Sequence, residues 1–419
     1  MNNQSDQAVP DGAAFSVFSG ELAADPFPLF AQMRAMGAVV PLPFSLGGDD
    51  RQAWMVTRIE EAVRILKDHA HFTVDPRSVG AEDLFRQNVA DASDTPAFFA
   101  GGSSMVSVDE PDHRRLRGLV SKAFTPRYME GLRPRVQQIA DELLDRVQDQ
   151  GHMDLVEDYA FPLPINVISE MLGVPQEDRA QIRVWSEALV AGMGLAGRDE
   201  QIIAHMRAFA SYAMQLVAEK RLHPADDLIS QLIAIEEEGD RLSEAELLSM
   251  ITLLIFAGHE TTSNLIGIGT LTLLDHPDQL EKLKADLRLV PSAVEELLRF
   301  NGPVTMPVPR FAREETELAG QQIKKGDLLI IALISANRDE TQFTQPDEMD
   351  IARTLNRHIA FGQGIHVCLG APLARLEGDI AFTTLLKRLP NLRLSVPHES
   401  ITWRVSSNLR GLTALPVAF

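Results

Sequence analysis

Between Phe361 and Phe382 the chain runs FGQGIHVCLGAPLARLEGDIAF. Gly362, Gly364 and Gly370 surround Cys368, the one cysteine of the sequence. Glycines permit a tight backbone excursion and the close approach of a flat ligand. Pro372 then opens a helical pattern carried by Leu373, Leu376, Ile380, Ala381 and Leu385, and proline sits well in a first helical turn. Cys368 therefore stands just ahead of a helix N-terminus, where the dipole and free N–H groups favour a thiolate over a thiol.

Three readings of such a cysteine are open. It is a small buried core thiol, a nucleophile with His366 on the same side of an extended segment as its base, or the single axial ligand of a haem iron. The rest of the composition narrows the setting. Lys plus Arg number 39 and Asp plus Glu 59, a balance of −20 over 419 residues, which argues against a general nucleic-acid binder. One cysteine allows neither an intrachain disulfide nor a Cys-rich zinc site and suits a reducing compartment. The N-terminal MNNQSDQAVPDGAAF has neither the cationic start nor the apolar core of a secretory signal. The most apolar long stretch, 250–274, is interrupted by His259, Glu260, Thr261, Thr262, Ser263 and Asn264, too polar for a lipid-facing span. A soluble cytoplasmic protein is expected.

Periodicity predicts a mainly α chain with small sheets. Residues 1–15 read as a flexible tail and 16–419 as a single domain. Helices are expected at 26–36 with Asp25 as cap, 59–67, 126–150, 179–190, 202–221 and 291–299. Ser243 and Glu246 form a capping box for a helix reaching about 274, roughly 45 Å long at 1.5 Å per residue. Strands are expected at 53–57, at 323–333 and near the C-terminus. The Asp-, Ser- and Gly-rich 74–106, with Phe98 and Phe99, reads as a functional loop, and 191–197 as a Gly-rich link.

The cysteine segment resembles the haem-binding loop of the cytochrome P450 superfamily, Phe-x-x-Gly-x-x-x-Cys-x-Gly, with Phe361, Gly364, Cys368 and Gly370 in register. Three further motifs follow the order expected of that family: Ala257-Gly258-His259-Glu260-Thr261-Thr262, Glu296-Leu297-Leu298-Arg299, and Ala336-Asn337-Arg338-Asp339 with Phe343, Pro346 and residues 350–353 beyond it. The resemblance spans nearly the whole chain and is closest to the soluble bacterial branch that hydroxylates polyketides and macrolides. Glu340 departs from the proline many relatives carry there, and Gln363 from a frequent His or Phe.

The resemblance implies a helical bundle around a buried haem b. Cys368 would be the proximal thiolate, whose electron donation favours O–O cleavage. Phe361, Gly362, Gly370 and Ala257 would bound the haem, and His113, Arg117, Arg310 and His366 would meet its propionates. Glu260 and Thr261 would deliver protons to the oxygen site, the structural alternative being a salt bridge for Glu260 and a back-bond to a helix carbonyl for Thr261. Glu296 and Arg299, joined by Arg353, would be structural. Candidate substrate contacts are Phe98, Phe99, Leu254, Phe256, Val304, Val308 and Leu409.

The implied activity is a monooxygenase acting with O2 on an apolar small molecule of polyketide, macrolide, steroid or terpenoid class, free or tethered to a carrier protein. NAD(P)H would act indirectly, through a ferredoxin reductase and a ferredoxin docking on Arg114, Arg115, Lys122 and Arg127. A monomer is expected. The rivals are a hydrogen peroxide-driven peroxygenase on the same fold and a non-enzymatic haem-based gas binder.

Overall fold

The computed structural model describes residues 24–45, 51–81, 104–192, 200–237, 242–404 and 408–419. The expected tail, Phe98, Phe99 and most of the 191–197 link lie outside these. The helices, in chain order, are α1 (Phe27–Met36), α2 (Ile59–Lys67), α3 (Asp112–Val120), α4 (Pro126–Asp145), α5 (Pro162–Leu172), α6 (Arg179–Gly192) and α7 (Glu200–Leu222). They continue as α8 (Leu228–Glu237), α9 (Glu244–Asp275), α10 (Pro277–Ala285), α11 (Val290–Asn301), the short α12 (Leu333–Ala336) and α13 (Ala371–Arg388).

The capping box forms as the sequence predicts. The Ser243 hydroxyl accepts from Glu246 N–H at 3.3 Å and a Glu246 carboxylate oxygen accepts from Ser243 N–H at 2.8 Å. It launches α9, 32 residues long and roughly 48 Å end to end. This helix is buried on most of its circumference, as an all-round apolar pattern requires, and it packs on α5, α7, α11 and α13. The other side of α13 rests on α4. The expected helix at 126–150 ends at Asp145 and is followed by a separate turn at Gln148–Gln150. Helix α1 starts one residue later than expected, with Asp25 accepting from Phe27 N–H at 3.3 Å.

The main sheet has β1 (Val39–Ser45), β2 (Gln52–Val56), β3 (Phe72–Thr73), β5 (Arg310–Ala312) and β8 (Leu328–Ile331), in the order β1-β2-β8-β5-β3. Only β2 and β8 run parallel among these pairs. The strand expected over 323–333 is broken: β6 (Thr316–Leu318) and β7 (Gln321–Ile323) form a hairpin, and β8 starts anew after Gly326. Gly326 has φ of +86°, which turns the chain where an unbroken strand would have continued. Elsewhere β4 (His152–Asp154), β9 (Arg393–Leu394) and β12 (Pro416–Ala418) pair in the order β4-β12-β9, and β10 (Trp403–Arg404) pairs with β11 (Gly411–Leu412). No described helix is long and apolar enough to cross a membrane.

Candidate active site

The loop before α13 is shaped by glycine. Gly362 and Gly364 have φ of +70° and +75°, and a Cβ on Gly364 would lie 2.1 Å from the carbonyl oxygen of Leu66 at the end of α2. Only a residue without a side chain lets this loop lie against that helix. Cys368 N–H donates to the Phe361 carbonyl at 2.9 Å, which closes the loop, and the Arg375 guanidinium covers the Phe361 ring at 4.5 Å.

Cys368 lines a cavity of about 290 Å³ and is exposed to it while packed among neighbouring protein atoms. Burial pushes its thiol up, against the opposing pull of the Gly370 and Ala371 N–H groups and of Arg117. The helix N-terminus is therefore present as expected but does not by itself yield a thiolate, because desolvation outweighs it. An electropositive partner such as a bound metal ion is what would hold this sulfur ionised. The nucleophile reading loses its base: the His366 ring lies 4.3 Å from the His113 ring and turns Nε2 towards Asp109 Oδ1 at 3.5 Å.

Across the cavity stands the middle of α9. Leu253, Leu254, Ala257, Gly258, Thr261 and Thr262 face it. Small residues are needed here for packing as well as for space, since a Cβ on Gly258 would come within 2.6 Å of Ile168 on α5. The Thr261 hydroxyl donates to Ala257 O at 3.2 Å. Val304 and Val308 also face the cavity.

The rim is cationic. His113 and Arg117, one turn apart on α3, join Arg310 and His366 at one edge. Arg310 is 3 % exposed and donates to the Val308 carbonyl at 2.6 Å. Burial pulls it down to about 10, Asp109 working weakly the other way. Burial, with His366 and Arg117 alongside, takes His113 to about 4, and neither of its ring nitrogens has a hydrogen-bond partner among the described residues. Desolvated cations and an orphaned imidazole at one rim constitute a site for carboxylates. With a lone sulfur on one face, glycines beneath it and an apolar wall opposite, the residues fit a flat metal-bearing dianion.

Below the loop, Glu296 and Arg299 of α11 are both fully buried and pair through two bonds of 2.7 and 2.8 Å. Arg353 donates to both Glu296 oxygens at 3.1 Å, Asp350 N–H and Asn356 add two more bonds, and Arg299 reaches the carbonyls of Asn337, Pro346 and Glu348. The cluster ties the irregular 337–360 segment to α11.

Several expected residues sit elsewhere. Glu260 is off the cavity wall: it is 2 % exposed and held by Arg404 at 2.8 Å and by the Asn264 amide at 3.4 Å. Thr261 makes its helix back-bond, so both structural alternatives describe the resting geometry. Phe256 and Leu409 are buried but not on the wall, Leu409 pairing with Val304 in an isolated bridge. Arg404 and Asp109 escaped the sequence reading. Neither carries a local pattern, because each acts on a partner far along the chain. Glu340, the departure from the family pattern, is used by Arg58 and Arg34, at 2.9 and 3.4 Å.

Comparison with known proteins agrees with this geometry. The family model for cytochrome P450 matches residues 194–405. The chain is 44 % identical to the polyketide biosynthesis cytochrome P450 PksS of Bacillus subtilis (strain 168), over 94 % of this chain and 96 % of that protein.

The chain is a cytochrome P450 monooxygenase.

It is 40 % identical to the cytochrome P450 monooxygenase PikC of Streptomyces venezuelae, over 99 % of this chain and 96 % of its relative. Among solved structures it superposes on a myxobacterial P450, CYP267B1 in complex with myristic acid, with a TM-score of 0.88 and 42 % identity, covering 97 % and 99 % of the two chains. The family implies a haem iron, and the cavity between α9 and the Cys368 loop of this P450 has the donors for it.

Proposed function

We propose that this P450 hydroxylates or epoxidises an apolar small molecule of the polyketide or macrolide class, working in the cytoplasm with O2 and with electrons relayed from NAD(P)H by a ferredoxin reductase and a ferredoxin. The observation that carries the reading is the opposition of Cys368 and Thr261 across one largely apolar cavity whose edge holds four cationic or imidazole side chains. In this reading Cys368 is the metal ligand. His113, Arg117, Arg310 and His366 bind the haem carboxylates, and Phe361, Gly362, Gly370 and Ala257 bound its faces. The haem, when bound, supplies the oxygen activation that no protein side chain can.

The chain's own residues do the rest. Leu254, Val304 and Val308 offer the substrate only apolar contact, so they exclude water and orient it by shape. The Thr261 hydroxyl, on the wall facing the sulfur, passes a proton towards that space, and Glu260, one residue behind it, resupplies the hydroxyl. For this Thr261 gives up its bond to Ala257 O, and Glu260 shares itself between Arg404 and Thr261. Glu296, Arg299 and Arg353 hold the cysteine loop at its distance from α9.

On the outer surface, Arg114 is 81 % exposed and pairs with Glu110 at 2.9 Å, and Arg115 is spent on Glu246 and Asp112. The acidic ferredoxin therefore meets the exposed Lys122 and Arg127 ahead of the two paired arginines. Charge reversal at Lys122 is expected to slow electron transfer and flatten its salt dependence.

The test is an optical titration of the ferric protein with macrolactones, steroids, terpenoids and fatty acids. A saturable low- to high-spin shift confined to macrolactones supports the reading. A shift confined to another class overturns the substrate assignment. A shift seen only with acyl carrier conjugates makes the substrate a tethered one.

A further inference from the structure

Pro303 and Val304 form part of the wall of the large cavity, with Leu333 beside them. Their backbone is tied on both sides. Arg410 N–H donates to the Pro303 carbonyl at 2.7 Å, Thr305 N–H donates to Asn408 O at 2.9 Å, and Val304 and Leu409 pair between these two bonds. The Thr305 carbonyl accepts from Leu333 N–H at 2.9 Å. The place of this wall therefore depends on the chain at 408–410.

Arg410 is 2 % exposed. Its guanidinium donates to the Ala24 carbonyl at 2.9 Å and to the side-chain oxygen of Asn301, which in turn donates to Thr272 of α9 at 2.9 Å. It lies 4.4 Å from the ring centre of Trp403 on β10 and 5.3 Å from that of Phe27 at the start of α1. Phe27 is also covered by the Arg338 guanidinium at 3.5 Å, and Arg338 lies 4.0 Å from the ring of Phe300 on α11. Rings and guanidinium groups thus alternate from Trp403 through Arg410, Phe27 and Arg338 to Phe300. Contacts of this kind gain strength when water is excluded.

Two buried cations share the Phe27 ring. Burial pulls Arg410 down to about 9, with the Arg338 charge adding to the fall and Asp25 opposing it. Buried charge is costly unless it is compensated. Residues 24–27 supply compensation three times over, as the Ala24 carbonyl, the Asp25 carboxylate and the Phe27 ring, although none of the four lines the cavity.

We propose that residues 24–27 are a clip on the substrate wall, with Phe27 and Arg410 as positioning residues: Phe27 holds Arg410, and Arg410 holds Pro303 and the 408–409 turn so that Val304 presents one fixed apolar face to the substrate. The inference rests on the reading of Val304 as a substrate contact and adds the distant residues that set its position. The clip acts on where the wall stands and touches nothing at the Cys368 loop. Its effect therefore falls on ligands large enough to need the wall.

The haem-loaded protein is compared with Phe27→Leu, Arg410→Lys, Asp25→Asn, Val304→Ala and the double variant Phe27→Leu/Val304→Ala. Each is titrated optically with imidazole and with 4-phenylimidazole. Both bind a haem iron through the azole nitrogen, and the second adds a ring that must fit the cavity. Amide hydrogen exchange of peptides spanning 303–305 is followed on the same proteins. Asp25 is exposed, so Asp25→Asn gives the answer even where the other two clip variants fail to fold.

In Phe27→Leu and Arg410→Lys, 4-phenylimidazole should bind roughly tenfold more weakly while imidazole changes by less than about twofold, the loss that one missing methylene contact brings. Asp25→Asn should shift the same ratio less, and all three should exchange faster at 303–305. The double variant should be no weaker than Val304→Ala alone, since both substitutions act through one contact. If Val304→Ala weakens 4-phenylimidazole while the clip variants leave affinity and exchange unchanged, the clip is refuted and the reading of Val304 survives. If Val304→Ala has no effect, that reading fails and the clip with it. Equal weakening of both azoles, or additive losses in the double variant, also overturns the proposal.

Discussion

Glu377 lies on α13 nine residues after the cysteine, is fully buried, and neither carboxylate oxygen has a hydrogen-bond partner among the described residues. Burial raises it from the ordinary 4.5 to about 8, with the nearby Thr262 hydroxyl working the other way. The folded protein therefore keeps this proton over a range in which the unfolded chain has released it. Between about pH 4.5 and pH 8 the unfolded state binds fewer protons, so stability falls as pH rises and levels off once the folded carboxyl also ionises. At 1.4 kcal/mol per pH unit the whole loss is on the order of 5 kcal/mol, of which about 3 kcal/mol has accrued by pH 7. Glu377→Gln keeps the shape and removes the titration. Urea unfolding of the ferric protein and the variant, from pH 5 to pH 8.5, measures the difference. The two should be nearly equal at pH 5, and the variant should gain steadily until it is about 3 kcal/mol ahead at pH 7. A stability difference that does not change with pH would refute the reasoning, because a merely steric effect of the substitution has no reason to follow proton binding.

Three other substitutions test the scaffold. Arg299→Ala leaves Glu296 buried with only Arg353 as a charged partner, and should cost about 3–5 kcal/mol in urea unfolding together with a fall in haem retained on purification. Gly364→Ala and Gly320→Ala form a matched pair. Both sites have positive φ, of +75° and +78°, but a Cβ at Gly364 strikes Leu66 O while one at Gly320 meets nothing within 4 Å. Gly320→Ala should cost only the backbone term of about 1–2 kcal/mol; Gly364→Ala should cost clearly more and weaken haem binding. Equal costs for the two would mean that the loop can move off α2.

Local chemistry was legible in the sequence wherever the determinant was itself local. The capping box, the length of α9 and the start of α13 with Pro372 in its first turn all follow from residues within a few positions of one another. So does the cysteine loop, where Gly362 and Gly364 bear the positive φ angles that its turns need. The Glu296–Arg299 spacing puts both groups on one helical face, while Arg353, far along the chain from Glu296, is implied only by the family resemblance.

What depended on distant chain was decided only by packing. Hydrophobic pattern made 323–333 one strand, and a single glycine at 326, free to take φ of +86°, cut it in two so that β8 could enter the main sheet between β2 and β5. The motif set Glu260 beside Thr261, but residues adjacent on a helix point some 100° apart. The tertiary structure turned one towards the large cavity and the other towards Arg404, which lies 144 residues away in the chain. Sequence specified that a thiol, a hydroxyl, two acids and a ring of cations would be present, because side-chain chemistry is carried residue by residue. Which of them face one another is set by how α9, α13 and the sheets pack, since distance between groups far apart in the chain is a property of the fold alone.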